Sequence, residues 1–163
     1  MAYSIDYIGH IRVSPPLNEA EFSYLTAFCE STHEAGMGIY DVSDNPRAPH
    51  PDGGVRVLER PGDLPDVFCP WLPSCAGRCL TIPDDGSDRR DAAVWLQFLI
   101  DHFLKPGAHA SRSESEEFAP FTFDHQLDAV VAAHRSDSGS LWLIRAEGHT
   151  VTEETVWCGD TGW

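Results

Sequence analysis

The stretch Ala92 to His134 decides the fold. Its first part, AAVWLQFLIDHFLKP (92–106), sets Trp95, Leu99, Ile100 and Phe103 on one stripe of a helix over 90–104 that Pro106 stops. Its last part, FAPFTFDHQLDAVVAAH (118–134), is rich in aromatic and β-branched residues and predicts a strand over about 120–134. A helix with such an apolar stripe needs a second layer to lie on, and the strand supplies part of one. The polar run PGAHASRSESEE (106–117) between them predicts a surface loop.

Downstream, alternation continues over 140–146 and 149–157, with turns at Asp137-Ser138-Gly139 and Glu147-Gly148. Upstream, SIDYIGHIRV (4–13) predicts a first strand, with Gly9 marking a bulge. Asn18 followed by Glu21 is a capping-box pattern that opens a helix over 18–31, and Tyr24/Phe28 and Leu25/Cys29 are its buried i,i+4 pairs. FCPWL (68–72) and RCLTI (78–82) predict two short strands around PSCAG. Between the first helix and this hairpin, residues 34–66 carry five glycines and five prolines and predict a long loop. The reading is one α+β domain over 1–163, with two helices on one face of a mainly antiparallel sheet.

Hydrophobic residues make up 42% of the chain and charged residues 23%, which are ordinary globular values and exclude wholesale disorder. The charge balance is not ordinary: 11 basic against 26 acidic residues give a net charge of −15 and a pI near 4.6. Such a surface repels phosphate backbones, so direct nucleic-acid binding is not expected, whereas a basic protein partner would suit it. A solvated surface that keeps the protein soluble is the plainer account of the same charge. No basic segment followed by an apolar run opens the chain, and no apolar run approaches the roughly 20 residues of a membrane span. A cytoplasmic protein is expected, and five cysteines in a reducing compartment argue against a disulfide framework.

Several blocks together resemble a family of small uncharacterised proteins of actinobacterial and phage genomes. They are YIGHIRVSPPLNEAEFSYLTAF (7–28), FCPWLP (68–73), WLQFLIDHFLKP (95–106), FTFDHQLDAVVAA (121–133) and the hairpin LWLIRAEGHTV. The resemblance implies a ferredoxin-like fold. It brings no catalytic residues with it, and the chain departs from the pattern in two extra cysteines at 74–79 and a more proline-rich 43–66 loop.

Reactive groups are few. If the strands at 4–13 and 121–134 are neighbours, His10, His125 and either Asp124 or Asp6 converge as an acid–base set, and His102 lies beside the buried stripe of the second helix. Asp124 and His125 are consecutive on the strand, so they point to opposite faces and do not pair directly. Cys29 and His33 share a helix face at i,i+4. Cys69, Cys75 and Cys79 follow with a Cys-x5-Cys-x3-Cys spacing, so these five are the candidate metal ligands. The spacing is not that of a zinc knuckle, and buried cysteine more commonly packs as a small hydrophobe. There is no nucleophile elbow, phosphate-cradling glycine loop or H-E-x-x-H motif, and no cofactor is implied. The sequence therefore favours an acidic, non-catalytic interaction or accessory protein that binds a basic protein. The alternatives are a small enzyme with a His/Asp pocket between the sheet and the 34–66 loop, and a zinc-stabilised domain.

Overall fold

The computed structural model describes residues 4–33, 38–42, 64–83 and 91–159. Its elements run β1 (Ile5–Ile8), β2 (Ile11–Ser14), α1 (Glu19–Glu30), β3 (Leu72–Ser74), β4 (Cys79–Thr81), α2 (Ala92–Leu99), β5 (Gln126–Arg135), β6 (Leu141–Gly148) and β7 (Thr150–Trp157). Seven strands form one sheet in the order β3-β4-β2-β5-β6-β7, with β1 also on β5. Every strand pairing is antiparallel. The expected α+β architecture with a largely antiparallel sheet is therefore present.

Gly9 differs from expectation in an instructive way. Ile8 faces Ala132 and Arg12 faces Asp128, so β1 and β2 keep a single register on β5 and no residue is inserted. Gly9 is a break in the ladder, not a bulge. Its φ of +112°, and the 3.1 Å that a Cβ would leave to the Val130 carbonyl oxygen, explain the glycine.

Strand β5 begins at Gln126, later than the aromatic pattern predicts. Phe123 has φ +49°, so residues 121–125 leave the sheet and fold over the end of α1. The 92–106 helix also changes character: after Leu99 the backbone widens into a π-helical turn over Ile100–Leu104, closed by Lys105 N–H donating to the Ile100 carbonyl at 3.1 Å. The polar stretch that follows is not featureless. It makes short 3-10 turns at His109–Arg112 and Glu116–Phe118, and Ala108, Ala110 and Phe118 are buried.

One face of the sheet carries the core. Ile11, Val13, Leu127, Val131, Ile144 and Ala146 are buried beneath Tyr24, Leu25 and Phe28 of α1 and Trp95, Leu96 and Leu99 of α2. Aromatic edges knit the two helices together, with Tyr24 5.1 Å from Phe118 and Phe28 5.0 Å from Phe103, centroid to centroid. Gln97 ties α2 to the β6–β7 turn: its amide nitrogen donates to the His149 carbonyl at 3.0 Å, and its oxygen accepts from Val151 N–H at 2.9 Å. Trp71 donates its indole N–H to the Ala92 carbonyl at 2.7 Å and so fixes the start of the same helix. Among the described residues no helix is long and apolar enough to cross a membrane.

The β3–β4 turn is bolted to the chain entering α1. Leu17 N–H donates to the Gly77 carbonyl at 2.9 Å and Val13 N–H to the Arg78 carbonyl at 2.8 Å. At Gly77 the φ is +86° and an added Cβ would lie 2.6 Å from the Leu17 carbonyl oxygen. Gly77→Ala is therefore expected to cost roughly 2 kcal/mol or more, read as a lower urea midpoint with an unchanged slope. A variant as stable as the parent would contradict this packing.

Candidate functional site

The first convergence of titratable groups lies where three segments meet. Asn18 caps α1, accepting from Glu21 N–H at 2.8 Å, while Glu21 Oε1 accepts from Asn18 N–H at 2.8 Å. The second oxygen of Glu21 reaches the 121–125 segment: Oε2 lies 2.7 Å from His125 Nε2, and Thr122 N–H approaches it at 3.2 Å. The other ring nitrogen of His125, Nδ1, lies 2.6 Å from the Pro15 carbonyl oxygen. A carbonyl only accepts, so Nδ1 carries a hydrogen. Glu21 already accepts from two backbone donors, which favours its ionised form. The pair is therefore an imidazolium on a carboxylate.

Burial alone would push Glu21 up. The hydrogen bonds from His125 and the Asn18 backbone, the imidazolium charge and Thr122 outweigh it and hold the carboxyl below its ordinary value. Burial would likewise push His125 down, but the bonds to Glu21 and Pro15, with the charges of Glu21 and Asp124, leave it raised. Both side chains are only 1% exposed. A pair so sealed and so fully bonded cannot meet a substrate; it is a structural clamp.

Asp124 does not orient His125. It is exposed, accepts from the Thr122 hydroxyl at 2.6 Å and stays 3.9 Å from Nε2. The partner is Glu21, which the sequence reading assigned to the helix cap alone. A signal was available: Glu21 precedes Tyr24, Leu25 and Phe28 by three, four and seven residues, which places it on the buried stripe. His10 is exposed between β1 and β2. The strands are neighbours as expected, but Ser14 faces Gln126, which puts His10 level with Val130, five residues or roughly 17 Å along from His125. The expected His10–His125–Asp124 set is not assembled.

His102 stands in a second cluster at the π-helical turn. It stacks on Phe98 at 4.0 Å and meets the His109 ring edge-on at 4.3 Å. Its Nδ1 lies 2.7 Å from the Tyr40 hydroxyl. Tyr40 belongs to 38–42, a piece of the glycine- and proline-rich stretch that Tyr24 holds by donating to the Tyr40 carbonyl at 2.6 Å. Burial, then the neighbouring His109, push His102 down to about 4. The imidazole is thus neutral at physiological pH, and its Nδ1 and the Tyr40 hydroxyl share one hydrogen bond. The pocket expected against the rest of the 34–66 loop falls on residues outside those described.

The cysteines separate into two places. Cys29 and Cys69 are buried in the core with sulfurs 3.7 Å apart. His33, close by on the chain, binds the Phe28 carbonyl through Nε2 at 2.8 Å, and burial pushes its pKa down. Cys75 and Cys79 lie at the β3–β4 turn. Among the described residues no group of three or more His, Cys, Asp or Glu side chains is arranged to hold a metal ion.

Among the described residues no helix lies on the opposite face of the sheet. Paired strands place residues in rows across it: Asp6, His134, Leu141 and Trp157; Ile8, Ala132, Leu143 and Glu154; Val130, Arg145 and Thr152. Ile8 is 72% exposed and Val130 39%, well beyond what a covered strand shows. Asp6, Asp128, Glu147 and Glu154 surround these apolar side chains, and Arg145 reaches Glu154 at 3.6 Å. No family model, curated protein or solved structure matches the chain.

Two outcomes test these assignments. Glu21→Ala and His125→Ala are each expected to cost roughly 3–5 kcal/mol, with the double variant costing less than the sum. The raised His125 stabilises fully below the ordinary histidine value of 6.5, and its contribution is lost as pH rises through the folded value. The lowered Glu21 stabilises fully above 4.5 and loses its contribution as pH falls through its folded value. Denaturation from pH 4 to 9 should therefore show the wild-type advantage over the double variant greatest between about 4.5 and 6.5. For His102, an NMR titration should give a midpoint near 4 that rises in Tyr40→Ala, where the site opens to water; a midpoint at the ordinary 6.5 would remove the burial account.

Proposed function

We propose that this protein is a non-catalytic interaction module whose uncovered sheet face binds a basic protein partner. The observation that carries this reading is the patch of exposed Ile8 and Val130 and half-buried Ala132 and Leu143, with carboxylates at its margin. An apolar centre with a charged rim is the anatomy of a protein interface. The chain-wide net charge of −15 gives the partner's sign, because a basic rim would be steered to it and an acidic one repelled. The adjoining edge strand β7 strengthens the case. It exposes Glu153 and Glu154, which repel a second copy of the same strand while leaving the edge open to a basic one.

The order β3-β4-β2-β5, with α1 and α2 as the two crossovers, supports a ferredoxin-like reading in which β6 and β7 extend the sheet. That fold hosts many functions and adds nothing to the choice among them. A cytoplasmic setting and kinship with the actinobacterial and phage family belong to the same proposal, the latter resting on the sequence blocks alone.

A specific arrangement favours an enzyme as the second reading: the half-buried Tyr40 and His102 with the exposed His109 beside them. Its weakness is quantitative. An imidazole titrating near 4 is a poor general base at neutral pH, where the useful pKa lies near the working pH.

The test is capture of protein from the native extract by the wild type and by Ile8→Asp/Val130→Asp, both at exposed positions. The expected result is a basic protein that the wild type retains, that the double variant loses, and that elutes as salt rises from about 0.05 to 0.3 M. Capture indifferent to both the substitutions and the salt contradicts the proposal.

A further inference from the structure

Cys75 and Cys79 differ from the other cysteines in position and setting. Cys75 is exposed and opens a tight turn in a left-handed conformation, φ +53°, followed by Ala76 at +54°. Cys79 sits on β4 directly opposite Ser74, the residue before Cys75, and is 7% exposed. The turn returns Cys79 to the strand beside the Ser74–Cys75 step, where each thiol acts on the other. Ser74 adds its hydroxyl at 3.8 Å, and Arg78 is anchored beside it, its Nε donating to the Cys75 carbonyl at 3.0 Å. The bonds from Cys79 and Ser74, with the Arg78 charge, pull the Cys75 thiol below its ordinary value, while burial and the neighbouring sulfur push Cys79 up. An exposed thiol with donors and a cation, backed by a second thiol, is the setting of a reactive cysteine and its resolving partner.

The core pair is the internal contrast. Cys29 and Cys69 are as close as thiols need be for exchange, yet both are sealed from any reagent, and the neighbouring Cys69 thiol together with burial pushes Cys29 well up. Proximity alone therefore does not make the chemistry; access and polarity do.

We propose that Cys75 and Cys79 form a thiol–disulfide exchange site for low-molecular-weight aliphatic disulfides. The Cys75 thiolate attacks one sulfur of the disulfide RSSR, forming Cys75–S–S–R and releasing RS⁻. Cys79, its proton passing to that thiolate, attacks the Cys75 sulfur, forms the Cys75–Cys79 disulfide and releases the second RS⁻, which takes a proton from water. Two protein thiols are oxidised and one RSSR is reduced to two RSH. The turn that carries them is hydrogen-bonded to Val13 and Leu17, so the site sits on the segment that enters α1.

The experiment is brief exposure of the full chain to excess oxidised glutathione, followed by acid quench, non-reducing digestion and mass spectrometry. The wild type should lose two hydrogens at a peptide linking Cys75 to Cys79. Cys158, which is also exposed, serves as the reference and should acquire its adduct about tenfold more slowly than Cys75 reacts. In Cys79→Ser the mixed disulfide at Cys75 should persist, and in Cys75→Ser the Cys79 thiol should stay reduced; circular dichroism of both variants establishes that they fold. A persistent adduct at Cys75 in the wild type, or Cys75 reacting no faster than Cys158, would overturn the proposal.

Discussion

A carboxylate and an imidazolium shut away from water hold three parts of this chain in one place. Glu21 begins α1, His125 precedes β5, and Pro15 ends the segment after β2, so one charge pair joins the first third of the sequence to the last. Two buried charges are costly on their own. Here the cost is offset because the neighbouring bonds are supplied as well: Glu21 takes donors from Asn18, Thr122 and His125, and His125 gives both of its hydrogens away. The clamp sets the angle at which α1 leaves β2. With that angle fixed, Tyr24 and Phe28 meet the aromatic side chains of the second helical segment and its following turns.

Two helices cannot cover both sides of a seven-stranded sheet, and this arithmetic shapes the functional account. The clamp commits α1 to one side, and Gln97 commits α2 to the same side by gripping the β6–β7 turn. Among the described residues no helix covers the other side, which carries exposed Ile8 and Val130 and half-buried Leu143. Among the described residues the Glu21–His125 pair is sealed in the core while Ile8 and Val130 stay exposed outside it, an arrangement that supports the proposed contact role. The dithiol of the β3–β4 turn is separate from that face and needs no partner protein to act.

Much of the fold was legible because its signals are local. The Asn18–Glu21 capping box, the stripe from Trp95 to Phe103 and the glycines at the last two hairpin turns each dictate a short piece of backbone that no distant contact needs to correct. What escaped was non-local or doubled. Glu21 satisfies the cap and the clamp with different oxygens, so its first role hid its second. The aromatic run ahead of Gln126 has strand-like composition, yet Phe123 turns it out of the sheet so that His125 reaches α1. Tyr40 lies in a stretch without periodicity, and its bond to His102 spans 62 residues that no spacing rule connects. The exposed face was half visible in the alternation of Asp128, Val130, Ala132 and His134. Which side the helices would leave bare was not, because that depends on packing.

The protonation state of His125 tests the account most directly. Selective ¹⁵N labelling of histidine, read by NMR at neutral pH, should show two slowly exchanging ring N–H resonances for His125, one from the nitrogen on Pro15 and one from the nitrogen on Glu21. A neutral ring carrying one hydrogen would contradict the buried ion pair, and with it the constraint from which the placement of α1 follows.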